Sequence, residues 1–238
     1  RPWRTEGRSF EVFTLANVAW TTTHERIAIE NIICFLKPDL VMSLSGNNEM
    51  HWGWKGRNIF WLSTYPDEYF RTLVNMTYEK SGLPPLPEIK MDESQPVSPD
   101  KVASRTRWNI LLSIDALKRV NAEYAFFLQP NIKVTSKPLS RRESQVLENW
   151  SDDKAYVEKC YSRLEISLSG INAENYHFFK SDPAFRNMGK RDEVFLDTSH
   201  FGDRGNELLA IHILESLKPL LLESSPASAL SSSGTGAG

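Results

Sequence analysis

Cysteine is nearly absent: Cys34 and Cys160 are the only two in 238 residues. A disulfide framework is therefore excluded, and no Cys/His spacing builds a zinc module. Both read as ordinary half-buried residues, Cys34 within the apolar run Ile32-Ile33-Cys34-Phe35-Leu36, and the redox compartment stays open. No apolar run approaches the ~18 to 20 residues of a spanning helix, so no integral membrane segment is expected. An excess of either charge is also missing. Twenty-eight Lys plus Arg against thirty Asp plus Glu leave a formal charge of -2, so no global basic field gathers nucleic acid or anionic lipid. No convergent set of Asp, His and Glu side chains stands out, and neither a metal nor another cofactor is expected. The chain opens on Arg1 without a Met or a leader-like apolar stretch. It reads as cut from something longer, which leaves localisation open. The sequons Asn75-Met76-Thr77 and Asn149-Trp150-Ser151 matter only in a secretory pathway.

What is present is enough for one sizeable core. Hydrophobic residues make up 40% and charged residues 24% of the chain, and the length suits one α/β domain. Residues 9–15 (SFEVFTL) read as a short strand. Residues 25–33 have helical apolar spacing, with a cap among Thr21 to Thr23. The run 40–44 (LVMSL) is too uniformly apolar for a half-exposed edge and is expected as a buried parallel strand. It ends at Ser45-Gly46-Asn47-Asn48-Glu49. Residues 50–64 are aromatic, 69–78 suit a helix, and 81–99 form a proline-marked surface loop. Residues 101–120 form an amphipathic helix leading into a strand at 124–128. Ser140 opens a capping box with Glu143 and a helix to about Leu164. A strand follows at 176–179, then a short approach at 193–196. Asp203 opens a last helix that should stop before Pro219. The Ser/Ala/Gly-rich tail 224–238 is expected to be disordered, leaving residues 1–223 as the domain. Alternating strands and helices imply a three-layer α/β/α sandwich with a mostly parallel sheet.

Chemistry in such sheets collects beyond the carboxyl ends of the strands. Three segments suit that rim: Ala19, residues 46–49 and residues 197–200. In Asp197-Thr198-Ser199-His200 a carboxylate three residues before an imidazole can fold back to hold its Nδ1 proton, leaving Nε2 as a base. A plain surface turn has the same spacing. Asn48 suits a donor to a developing oxyanion, with Gly46 allowing close backbone approach, although Asn/Gly turns at strand ends are common. His51, Trp52 and Trp54 are candidate pocket lining, or equally an aromatic core under a loop.

Residues 193–210 (EVFLDTSHFGDRGNELLA) resemble the last conserved block of the SGNH (GDSL-type) hydrolases, with Asp and His three apart before a D-x-G-N helix opening. Residues 40–49 resemble that family's third block through Gly46, Asn48 and Glu49. Residues 12–25 are similar to its second block, whose glycine falls on Ala19. Phe127-Leu128-Gln129-Pro130 is similar to the strand after the long middle helix. The matches run from Val12 to Leu217 in the family's order.

The resemblance implies a serine-dependent esterase, lipase or acetylesterase in which His200 is the base and Asp197 orients it. Asn48, the Ala19 amide and Gly46 would form the oxyanion hole. The substrate would be a small-molecule, lipid or acylated-carbohydrate ester, and acyl transfer is also within the family. The block carrying the nucleophilic serine has no counterpart, because residues 1–10 offer no strand and nucleophile turn. The first strand of the fold thus reads as missing and the nucleophile is unassigned; Ser45 is a rim residue outside the family's nucleophile position. The alternative is a catalytically inactive SGNH-like carbohydrate-binding or interaction domain. Oligomeric state is left open.

Overall fold

The computed structural model describes residues 3–5, 8–56, 65–86, 95–149 and 153–223. Its centre is a parallel sheet of three strands, β3 (Leu40–Ser45), β4 (Glu123–Leu128) and β5 (Tyr176–Lys180), in that spatial order. The register runs from Leu40 opposite Glu123 to Ser45 opposite Leu128, and from Tyr124 opposite Tyr176 to Leu128 opposite Lys180. All three carboxyl ends therefore emerge on one rim. β1 (Trp3–Thr5) and β2 (Arg8–Phe10) form a separate antiparallel pair.

Side chains alternate between two covered faces. Val41, Tyr124, Phe126, Leu128 and Tyr176 share a core cluster with Ile110 and Leu117 of α5 (Pro99–Lys118) and Leu164 and Leu168 of α7 (Lys154–Ser169). Ala125 and Phe127 face the other way and cluster with Leu217 of α8 (Asp203–Glu223). Helices thus cover both faces, which makes the three-layer α/β arrangement expected from the sequence. A third cluster joins Phe185, Phe195 and Phe201, whose rings lie 5.4 to 5.5 Å apart.

Local signals explain most of the elements. Ser98 caps α5 by accepting Lys101 N–H, with Pro99 in the first turn, where its missing N–H costs nothing. Thr21 is the N-cap of α1 (Thr22–Ala28), which runs on through a π-helical turn at Ile29–Ile33 into α2 (Cys34–Leu36). The helix expected near 69–78 is α4 (Tyr65–Lys80).

Five expectations are corrected. Residues 11–17 have no regular structure, and Val12 and Phe13 are each 68% exposed. Without a neighbouring ladder, β propensity alone does not make a strand. The helix from Ser140 is two: α6 (Arg141–Glu148) ends at Asn149, and Asp153 caps α7 afresh through Ala155 N–H. The aromatic segment after Gly46 starts as a helix, α3 (Asn47–Trp54). The last helix passes through Pro219 to Glu223; Leu220 and Leu221 pack against the cluster of Ala125, Phe127 and Leu217, and that burial offsets a lost N–H. Cys160 is fully buried, while Cys34 is half-buried. The tail 224–238 and the aromatics Phe60 and Trp61 lie outside the described residues. Among the described residues no helix is long and apolar enough to cross a membrane.

Candidate active site

The 197–200 turn is the most ordered piece of chemistry on the rim. Asp197 Oδ1 accepts the backbone N–H of Ser199 at 2.9 Å and of His200 at 2.8 Å, and Oδ2 lies 2.7 Å from His200 Nδ1. Partial burial pushes the Asp197 carboxyl up, but the two N–H groups and the imidazole outweigh it and hold it below its ordinary value. The His200 ring is 75% exposed, so Nε2 faces solvent while Nδ1 is engaged. A neutral imidazole held this way can take a proton at Nε2.

The loop carrying this pair is closed at its base. Leu196 N–H donates to His200 O at 2.9 Å and Gly202 N–H to Val194 O at 3.0 Å, around a Phe195–Phe201 bridge. Gly205 has to be glycine for space: a Cβ there would stand 2.7 Å from Val194 O.

Asn48 and Trp52 of α3 reach the backbone carbonyls of Trp20 and Ala19. α3 follows β3 directly, and Asn48 Nδ2 donates to Trp20 O at 2.7 Å, which uses one amide hydrogen and fixes the plane of the other. Trp52, one turn on, directs its indole N–H toward Ala19 O at 3.5 Å. Ala19 has φ 61, a left-handed conformation that favours glycine and costs a non-glycine residue about 1 kcal/mol or more. The backbone at Ala19 is thus glycine-like despite the methyl group.

Glu49 lies beneath this strap. Its carboxylate accepts Thr22 N–H through Oε1 and Gly46 N–H at 3.1 Å through Oε2. Burial pushes its carboxyl up, and the bonds from Thr22 and Gly46 act against that rise. Gly46 itself has φ 111, and a Cβ there would fall 2.5 Å from Leu128 Cδ1. Gly46→Ala is expected to destabilise the fold by about 1 to 3 kcal/mol, read as a lowered urea midpoint with an unchanged slope.

The remaining candidates separate. Trp54 packs on Tyr156, with ring centroids 5.3 Å apart, toward α7 and away from the strap. His51 stands edge-on to Trp52 at 5.0 Å. Ser43 and Ser45 are buried, and Ser43 Oγ accepts the Tyr124 hydroxyl at 3.1 Å; Ser45 joins the rim through its backbone carbonyl, with its side chain buried. Among the described residues no hydroxyl or thiol hydrogen-bonds His200 Nε2.

Sequence reasoning missed the residues that join the segments. Gln129 N–H donates to Ser45 O at 2.9 Å and its side chain donates to Ser199 O at 2.9 Å. Asn131 Nδ2 donates to Asn47 Oδ1 at 2.9 Å, and Ile132 N–H donates to Thr198 O at 2.9 Å. The 45–48 turn, the 129–132 loop and the 197–200 turn thus form one hydrogen-bonded rim. The only hint in the sequence was polar residues directly after an apolar strand. A cleft of about 570 Å³ lined by Leu128, Lys133, Tyr161, Lys180 and Asp182 adjoins this rim through Gln129.

No protein-family model and no curated protein matches the chain. Two solved structures are similar to it in outline. A carbohydrate esterase family 3 protein from Talaromyces cellulolyticus has 15% identity and a TM-score of 0.42, over 87% of this chain and 70% of that one. A mutant of an acetyl-xylooligosaccharide esterase from Geobacillus Stearmophilus has 13% identity and a TM-score of 0.43, over 84% and 68%.

Proposed function

We propose that the chain is the larger part of an SGNH-type domain that cleaves carboxylic esters, and the observation that carries this reading is the Asp197–His200 pair with Nε2 open on the rim. His200 Nε2 takes the proton of a serine hydroxyl as the oxygen attacks the ester carbonyl. The tetrahedral oxyanion is met by the second Asn48 amide hydrogen and the Ala19 N–H. Collapse breaks the bond to the leaving alkoxide, which receives the proton from His200. Water, deprotonated in turn by His200, adds to the acyl-serine carbonyl; the serine–acyl bond breaks, His200 returns the proton to the serine oxygen, and the acid leaves. Asp197 keeps the imidazole in the Nδ1–H tautomer and stabilises its cation.

The serine comes from a segment that adds beside β3. The outer edge of Leu40–Ser45 has no strand partner among the described residues, and Met42 on it is 45% exposed. A strand placed there would end on the same rim as Asn48. A polypeptide extended upstream of Arg1 is expected to hydrolyse nitrophenyl acetate, and residues 1–238 alone to show no turnover. Strong turnover by residues 1–238 would place the nucleophile within the chain. An extended protein that is also inert would support the rival reading, a non-catalytic carbohydrate-binding module, which is favoured by the lack of a described nucleophile. In that case Trp52→Ala should weaken ligand binding more than His200→Ala.

A further inference from the structure

Glu143 makes the most heavily used side-chain contacts outside the rim. Its carboxylate is fully buried, and the Lys137 ammonium beside it is equally inaccessible. Oε2 accepts Lys137 Nζ at 2.5 Å and Ser140 N–H at 2.8 Å. Oε1 accepts the backbone N–H groups of Val194 at 2.9 Å and Phe195 at 3.1 Å. A carboxylate has about four lone-pair sites, and four donors fill them. Burial pushes the group up, but Lys137 and the three N–H groups prevail and hold it below the ordinary glutamate value.

A capping box alone explains one of these bonds, the one to Ser140 N–H. The other oxygen reaches residues more than fifty positions along the chain, at the base of the loop that carries Asp197 and His200. Stability is a poor reason to keep such a pair, because a buried ion pair is commonly matched by apolar residues of similar volume. An apolar pair, however, would leave Val194 and Phe195 N–H buried without an acceptor.

We propose that Glu143, neutralised by Lys137, is a positioning residue that sets the Asp197–His200 turn against the rim. It fixes Val194 and Phe195. The loop then closes through Gly202 N–H to Val194 O and Leu196 N–H to His200 O, and Thr198 O is presented to Ile132 N–H. The catalytic meaning of this placement rests on the ester-hydrolase reading, whereas the placement itself is measurable without a substrate.

Two variants separate positioning from bulk stability. The double variant K137M/E143L keeps the packing and removes the acceptor. It is expected to fold with a lowered urea midpoint, because Ser140, Val194 and Phe195 N–H lose their acceptor, while exchange of the Leu196, Gly202 and Ile132 amides speeds up about tenfold beyond any change at Phe126 and Phe127 in β4. K137M alone keeps the acceptor and loses the neutralising charge. It should lower the midpoint and accelerate all these amides together. In a form that cleaves ester, the double variant should lower kcat with KM nearly unchanged. Wild-type exchange at Leu196, Gly202 and Ile132 in the folded double variant would overturn the proposal. A double variant that does not fold would also overturn it, since the pair would then be architecture. Altered exchange together with an upstream-extended protein that has no esterase activity would instead leave the positioning intact and remove the hydrolase reading.

Discussion

Asp197→Asn is expected to lower turnover per folded molecule by about 10^2 to 10^4, by analogy with the Ser-His-Asp proteases, with little change in the fold. The geometry gives the reason. Oδ1 of Asp197 is held by Ser199 and His200 N–H, so an asparagine would keep its oxygen there and turn its NH₂ toward His200 Nδ1. That donor selects the tautomer with the proton on Nε2, which cannot act as base. The backbone turn survives because its acceptor survives. His200→Ala should cost at least as much turnover and little stability, since a ring that is 75% exposed buries little apolar area. Both variants belong in the upstream-extended protein, with turnover measured beside a denaturant midpoint. Near-wild-type turnover with a lowered midpoint would make Asp197 an architectural turn residue, for which the loss of a cap costs roughly 0.5 to 2 kcal/mol.

The parts legible in the sequence were those whose signal is local. The apolar runs at 40–44, 124–128 and 176–179 became the sheet, but only 124–128, the central strand, is buried on both faces; the run at 40–44, expected as a buried strand, is an edge among the described residues, with Met42 45% exposed. A threonine among 21–23 and Ser140 marked helix starts because a cap is a short-range signal, whereas Ser98, the cap of α5, went unread inside the proline-marked loop. The Asp197–His200 pair was readable for the same reason: both its bonds close within three residues. Long-range polar contacts were not readable. Glu143 carried a correct capping signal that concealed its contacts with Val194 and Phe195, and Gln129 and Asn131 join segments about seventy to eighty-four residues away. The strand expected at 9–15 stops at Phe10, where its pairing with β1 ends, because strand formation depends on a neighbour that no local pattern supplies.

Glu25 leads to the second large effect, and its sign is opposite to that of most carboxylates. It projects from α1 toward β3, where burial and the nearby Glu49 charge push its carboxyl from 4.5 up to about 7, partly offset by the hydroxyls of Ser45 and Ser43. Its Oε2 is buried without a hydrogen-bond partner among the described residues. A raised acid binds its proton more tightly folded than unfolded. Stability from this group is therefore fully present below about pH 4.5 and is lost as pH rises through about 7. The span corresponds to on the order of 3 kcal/mol. Glu25→Gln keeps the shape, stays neutral at every pH, and so never meets the Glu49 charge as an anion. The variant should match wild type near pH 4.5 and exceed it by up to about 3 kcal/mol at pH 8. Urea midpoints of both proteins at pH 4.5, 6 and 8 give the difference directly, and acid-sensitive groups common to both, Glu143 and Asp197 among them, cancel. Parallel curves would mean that Glu25 is ionised in the fold at neutral pH without penalty. A gap that opens between pH 4.5 and 7 and then stays constant would show a protonated carboxyl held under the strap that presents Ala19.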